Sequence, residues 1–540
     1  MKTRNFDKLA VMVDCSRNAV KTVEEMKRFI TLIAKMGYNE IDLYMEDTYT
    51  IEGEDFFGYM RGKYSPEELK EIDDFAFSLG VEVVPFIQVL GHLNQVFQWG
   101  AYKDILDIDR IMLVGADRSY ELIEKMIISL KKCFRSRKIH LGMDETYELG
   151  KGKYRDINGE VPVSEIFISH VERVYKIVKK HDMIPLMWGD MFFSIFTGKH
   201  SFMELDTVDF NEEFRKKVPE DLTVFFGNYS PTEVEYYEQM IKNYKNLTNN
   251  LACIGGAWKW TGWNGQNYTA VPATIAALQA CINEGVRYFS LSLWGDNGAE
   301  CSDYSVLPSF VVVACYNQGI YEMDQIKAKC KEWTGVDFDL FYLISKPDFD
   351  ESLPLRYIIS PSKYQLYNDC LMGLYDKGGV YEGDGELYKS VADKIYAELD
   401  NTGEYKYVFN TIAKLCDVLE IKAEIGIRTH KAYLEKNIDE LKKIICDYTE
   451  MIKRTEDFYE AFKVQWLTEN KPQGFDVQDI RLGGLLMRMK HCKERLQNYV
   501  DGKVLSLPEL EEKQIEIIHK KELVNDWCRN VTANVFARTI

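Results

Sequence analysis

Eight short apolar runs, at residues 9–14, 40–45, 82–89, 138–143, 184–188, 223–227, 252–257 and 288–294, are separated by longer stretches of helical periodicity. Those stretches include residues 23–35, 66–79, 120–133, 164–180, 233–242 and 272–284. Eight such units in about 300 residues predict an α/β fold, a closed (β/α)8 barrel of the TIM type. A doubly wound sheet is the alternative. Past Tyr304 the pattern changes to long Lys/Glu/Leu-rich helical stretches, at 387–399, 405–425 and 431–463. Two units are therefore expected: a barrel over residues 1–305 and a mainly α-helical C-terminal domain over 306–540. A Gly-rich loop is expected at 369–384, and the glycine-flanked stretch 474–484 is a candidate to pack back near the barrel.

Charge narrows the partners. The formal net charge is −18 and the pI about 5.1, which argues against a nucleic-acid surface, because phosphate binding needs concentrated Lys and Arg. Neither an apolar leader after Met1 nor a later run long enough to span a bilayer is evident, so a cytoplasmic protein without a membrane partner is expected. The 12 cysteines lack CxxC spacing and read as reduced thiols.

The fourth run carries the chemistry. Residues on a strand alternate faces, so His140, Gly142 and Asp144 share one side while Leu141, Met143 and Glu145 share the other. Both carboxylates can turn into one cleft only where the strand gives way to a loop, at the catalytic rim of such a barrel. Neighbouring acids are badly placed to flank a glycosidic bond from opposite sides of the sugar ring. They suit a 2-acetamido sugar instead, whose amide oxygen supplies the nucleophile. One acid then protonates the leaving group and the other holds the amide N–H. Taken alone, Asp-Glu also reads as a helix N-cap with a first-turn acid.

The longer pattern His140-x-Gly142-x-Asp144-Glu145 resembles the signature of family 20 glycoside hydrolases, the β-N-acetylhexosaminidases. The resemblance covers about residues 8–305. It implies exo-acting, retaining removal of terminal β-linked N-acetylglucosamine or N-acetylgalactosamine through an oxazolinium intermediate. Glu145, expected to be buried, would be the general acid and then the base for water. Asp144 would accept the acetamido N–H. No metal or organic cofactor is required. The partner is a glycan or glycoconjugate ending in an N-acetylhexosamine, and a homo-oligomer is an arrangement the sequence allows.

The other strand ends supply the rest. Arg17 can fork onto vicinal hydroxyls and resembles the family's sugar-gripping arginine. Glu46 and Asp47 resemble its acidic pair after strand two, and the run from Pro85 to Gly91-His92 resembles its Pro-x-Ile-x-x-x-Gly-His. His92 could tune a nearby carboxylate. Trp188, Trp258 and Trp294 resemble the walls of the sugar pocket, with Asp296 on the outer hydroxyls. Family members commonly carry Tyr-Leu-Asp or Tyr-Leu-Asn after strand seven. Here Trp258-Lys259-Trp260 stands there, and Tyr229 is the candidate for the missing hydroxyl. The chain reads as a divergent, barrel-first branch. Three rivals stay open: a metal-dependent hydrolase using His140, Asp144 and His92; a non-catalytic sugar binder; and a glycosidase with Asp190 or Asp296 as covalent nucleophile.

Overall fold

The first strand, β1 (Lys8–Asp14), is buried from Leu9 onward, and its two sides face different worlds. Val11 and Val13 pack outward against helices, while Met12 joins a second cluster inside a barrel. In the computed structural model, which describes residues 4–199, 207–349, 360–516 and 531–534, the same division recurs around a ring. The ring's other strands are β2 (Glu40–Tyr44), β3 (Glu82–Phe86), β6 (Lys138–His140), β7 (Ile184–Trp188), β8 (Thr223–Phe226), β9 (Leu251–Gly256) and β10 (Tyr288–Leu293). A small antiparallel hairpin, β4 (Leu106–Ile108) and β5 (Ile111–Met112), lies between β3 and β6 in sequence. The eight parallel strands close in the order β1-β10-β9-β8-β7-β6-β3-β2, so the expected TIM barrel is present. Tyr44, Val84, Phe86, Leu186, Trp188, Phe225 and Ile254 fill its interior.

Local signals set the helices. Thr22 caps Val23–Met36 through the Glu25 amide, and Gly37 ends it in the left-handed region. Ser65 and Glu68 form a capping box on Pro66–Ser78. The helix Asn267–Glu284 begins five residues before Pro272, which lies inside it rather than opening it. Its start is held instead by Asn267, whose side chain donates to the Ser305 and Phe341 carbonyls.

Two expected strands are too long. β3 ends at Phe86 and β6 at His140, each three residues early. β6 turns away because Gly142 and Met143 have φ of 71° and 70°, which no ladder accommodates, while past Phe86 the β3 continuation keeps only the Ile87 and Val89 N–H bonds to the His140 and Leu141 carbonyls, at 2.8 and 3.2 Å.

The fully buried helix Leu307–Asn317 packs on the first barrel helix, with Tyr38 Oη donating to the Phe310 carbonyl at 2.9 Å. The expected division at 305 falls just before it. Beyond lie the long helices Asp384–Glu398, Lys406–Leu434, Ile438–Glu469 and Phe475–Val500. The stretch 474–484 does return to the barrel: Arg481 donates to the Asn297 carbonyl at 2.6 Å and pairs with Glu300 at 2.8 Å. Trp263 of the barrel packs edge-on against Phe458 and Phe462. Among the described residues no helix is long and apolar enough to cross a membrane.

Candidate active site

After His140 the chain turns through Gly142, Met143 and Glu145, all at positive φ. A Cβ at Gly142 would collide with the Gln88 amide. Left-handed backbone at Met143 and Glu145 costs about 1–2 kcal/mol each, and the surrounding hydrogen bonds must offset it. Gln88 supplies two of them: its Oε1 accepts the Met143 N–H at 3.0 Å, and its Nε2 donates to Asp144 Oδ1 at 2.6 Å. The broken backbone turns Asp144 and Glu145 into one cavity of about 670 Å³.

The two acids sit differently. Burial pushes the Asp144 carboxyl up, but the charge of the adjoining His92 and the hydrogen bond from Gln88 outweigh it and hold the group well below the usual carboxylate range. His92 Nε2 stands 3.1 Å from Asp144 Oδ2. Burial pushes the imidazole down, and the Asp144 charge and contact together with the Glu46 charge more than reverse that, so His92 is held above its ordinary value. Glu145 departs from expectation: its side chain is 53% exposed rather than buried, 3.6 Å from His92 and 3.5 Å from Arg110. Its backbone N–H is held by Asp190 Oδ2 at 2.9 Å. Burial first, then the Asp144 charge, pushes the Asp190 carboxyl up to about 8.

The walls follow the sequence in part. Trp188, Trp294, Asp296, Arg17 and Tyr229 all line the cavity. Arg17 stands 3.2 Å from Glu46 and 3.7 Å from Asp296, its guanidinium over the Tyr44 and Trp294 rings. Glu46 lies behind Arg17 and takes a hydrogen bond from Tyr44 Oη at 3.0 Å. Trp294 Nε1 donates to Tyr229 Oη at 3.1 Å.

Three residues expected to bind the sugar do not line the cavity: Asp47, Trp258 and Glu46, the last lying behind Arg17. Asp47 points away from the cavity onto Arg61, at 3.1 Å, because the chain has already left β2 and turns at Glu46, whose φ is 44°. Its role is to fix Arg61, which also donates to the Ser16 carbonyl. Trp258 is not a wall: Trp260 is, and Trp258 stacks behind it and donates to the Tyr229 carbonyl at 2.6 Å.

His140 is not at the site either. Its ring stacks on Phe86 at 4.2 Å, and its Nδ1 accepts the Gly142 N–H. Burial pushes it down to about 3, so it is neutral. It therefore does not converge with Asp144 and His92 on a cation. Among the described residues no group of three or more His, Cys, Asp or Glu side chains is disposed to hold a metal ion.

Sequence reasoning did not single out Gln88, Arg110, Tyr147 or Trp260. Gln88 carried a usable signal, since it continues the inward-facing series Val84, Phe86 as a polar residue. Arg110 carried none, because it sits on the hairpin of a long loop.

Comparison with known proteins gives a consistent picture. Residues 8–281 match the family model "Glycosyl hydrolase family 20, catalytic domain", and residues 339–528 match "Glycoside Hydrolase 20C C-terminal domain". Hexosaminidase D of Bos taurus is 29% identical over 175 residues, 31% of this chain and 51% of that protein. Hexosaminidase D of Homo sapiens is 27% identical over 186 residues, 32% of this chain and 38% of that protein. The matches thus span about half of the bovine relative and less of the human one. Among solved structures, the β-N-acetylhexosaminidase from Streptomyces coelicolor A3(2) superposes with a TM-score of 0.46 at 18% identity, covering 62% of this chain and 71% of that one.

Proposed function

Because the chain belongs to glycoside hydrolase family 20, whose catalytic-domain model matches just over half of it, we propose that it is an exo-acting β-N-acetylhexosaminidase working by substrate-assisted retaining hydrolysis. The observation that carries this reading is the broken backbone that turns adjacent Asp144 and Glu145 into one cavity, with Asp144 held ionised by His92 and Gln88.

In this reading the amide oxygen of a terminal N-acetylglucosamine or N-acetylgalactosamine attacks the anomeric carbon. Ionised Asp144 accepts the amide N–H and stabilises the oxazolinium that forms. Glu145, at the open side of the cavity, gives its proton to the leaving oxygen and then takes one from the incoming water. Tyr229, oriented by Trp294, donates to the acetamido oxygen. Trp188, Trp260 and Trp294 pack on the sugar, and Arg17 and Asp296 bind its outer hydroxyls. The geometry speaks against a covalent nucleophile: Asp190 accepts the Glu145 N–H and is pushed toward its neutral form, and Asp296 is engaged by Arg17. Eleven described cysteines, all free thiols, support a reducing compartment such as the cytoplasm.

The test is hydrolysis of an aryl N-acetyl-β-glucosaminide beside the plain aryl β-glucoside. Turnover confined to the acetamido sugar, with retention at the anomeric carbon, is expected. Comparable turnover of the plain glucoside contradicts the reading, and binding without turnover would make the protein a sugar binder.

A further inference from the structure

The β4–β5 hairpin carries Arg110 at its tip, next to Asp109 at φ 49°. The hairpin is strapped to the body of the rim. The Arg110 carbonyl accepts the Leu93 N–H at 3.2 Å, and Met112 N–H reaches the Leu90 carbonyl at 2.8 Å. Asp107 takes the Gly150 and Tyr154 N–H groups at 2.9 and 2.7 Å, which ties the hairpin to the loop that follows Glu145. Arg110 is thus held in the cavity wall by built structure, 30% exposed.

Its charge is poorly matched. Among the described residues its one ion-pair partner is Glu145, at 3.5 Å, although a guanidinium offers five N–H donors. Arg17, the other arginine of the cavity, is satisfied by Asp14, Glu46 and Asp296. A general acid must carry a proton before it can give one away. Once Glu145 is protonated, Arg110 has no ion-pair partner left among the described residues, and a partly desolvated cation without one favours an anion from the ligand. A group beside the general acid lies beside the bond being cleaved, on the leaving-group side.

On the reading that Glu145 is the general acid, we propose that Arg110 selects substrates whose leaving sugar carries an anionic group, a uronate carboxylate or a sulfate ester. The net charge of −18 gives such a substrate no long-range attraction, so the selectivity rests on this local pair.

The experiment compares kcat/KM for three disaccharides in which N-acetylglucosamine is β-linked to glucose, to glucuronate and to a sulfated glucose. Wild type should favour at least one acidic acceptor over glucose by about tenfold, the worth of one charge-assisted hydrogen-bonded pair. Arg110→Gln should bring that ratio to about one, whatever happens to the absolute rates, and Arg110→Lys should restore part of it. Which acidic sugar is favoured identifies the anion. No acidic preference in wild type, or a preference that survives Arg110→Gln in a protein that melts like wild type, overturns the proposal. Failure of wild type to cleave even the aryl N-acetyl-β-glucosaminide would instead overturn the hydrolase reading on which it rests.

Discussion

The barrel holds carboxylates at both ends, and the two sets behave in opposite ways. At the floor, Glu40 and Asp42 lie on the inward face of β2 in regular strand conformation and are fully buried. Lys138 pairs with Glu40 at 2.5 Å and Glu82 at 3.0 Å, Lys8 adds Glu82 at 2.7 Å, and Ser290 donates to Asp42 at 2.8 Å. Burial, with the Glu40 charge second, pushes Asp42 far up, so the floor is neutralised by lysine or by proton. At the rim, Asp144 and Glu145 sit on a turn whose Gly142, Met143 and Glu145 are left-handed, open to a cavity. The floor shows that acids inside a barrel do not make a site. Strained backbone and access distinguish the rim.

The largest effect should come from the rim. Asp144→Asn and Glu145→Gln should each lower kcat on an aryl N-acetyl-β-glucosaminide by about 10²–10⁴-fold, with little change in thermal unfolding. Loss of folding in place of activity would make rim and floor alike. Lys138→Met should do the reverse, costing about 3 kcal/mol in denaturant unfolding by stranding a buried carboxylate, while kcat per folded molecule stays near wild type. A drop in kcat there would mean that the floor reaches the chemistry. Gln88→Leu should fall between the two. It removes the donor to Asp144 and the acceptor for Met143, so kcat should fall about tenfold with a modest loss of stability, read by kinetics and melting together.

The smallest effect is a pH dependence. Folded Asp190 holds its proton up to about 8, whereas its ordinary value is 3.8. Between those values the folded state binds a proton that the unfolded chain does not, so this group's contribution to stability declines as pH rises. Asp190→Asn cannot titrate and keeps a carbonyl oxygen for the Glu145 N–H. Its melting temperature relative to wild type should therefore climb from pH 5 to pH 8. A constant difference would place Asp190 with the ordinary carboxylates.

The barrel was legible because burial imposes a period on sequence, and eight strands repeat it. What broke the reading was backbone geometry that leaves no such mark. Residues 87–89 and 141–143 are apolar enough to extend β3 and β6, yet left-handed φ at Gly142 and Met143 ends β6 and takes that partner from β3. Only Gly142 announces itself. Asp144, Glu145, His92, Arg17, Trp188, Trp294, Asp296 and Tyr229 come together as their strand-end positions implied. Glu46, Asp47 and Trp258 did not, since a residue one or two places from a wall can face the cavity or back it. Arg110 reaches the cavity through hairpin contacts made far from its own place in the sequence.

The central claim is that the substrate's own amide oxygen is the nucleophile. The most direct test is a series of aryl β-glucosaminides whose N-acetyl group carries zero, one, two or three fluorines, each of which weakens that oxygen as a nucleophile. Participation predicts that kcat/KM falls steeply with every fluorine added. A flat series would contradict it and move the nucleophile to a side chain.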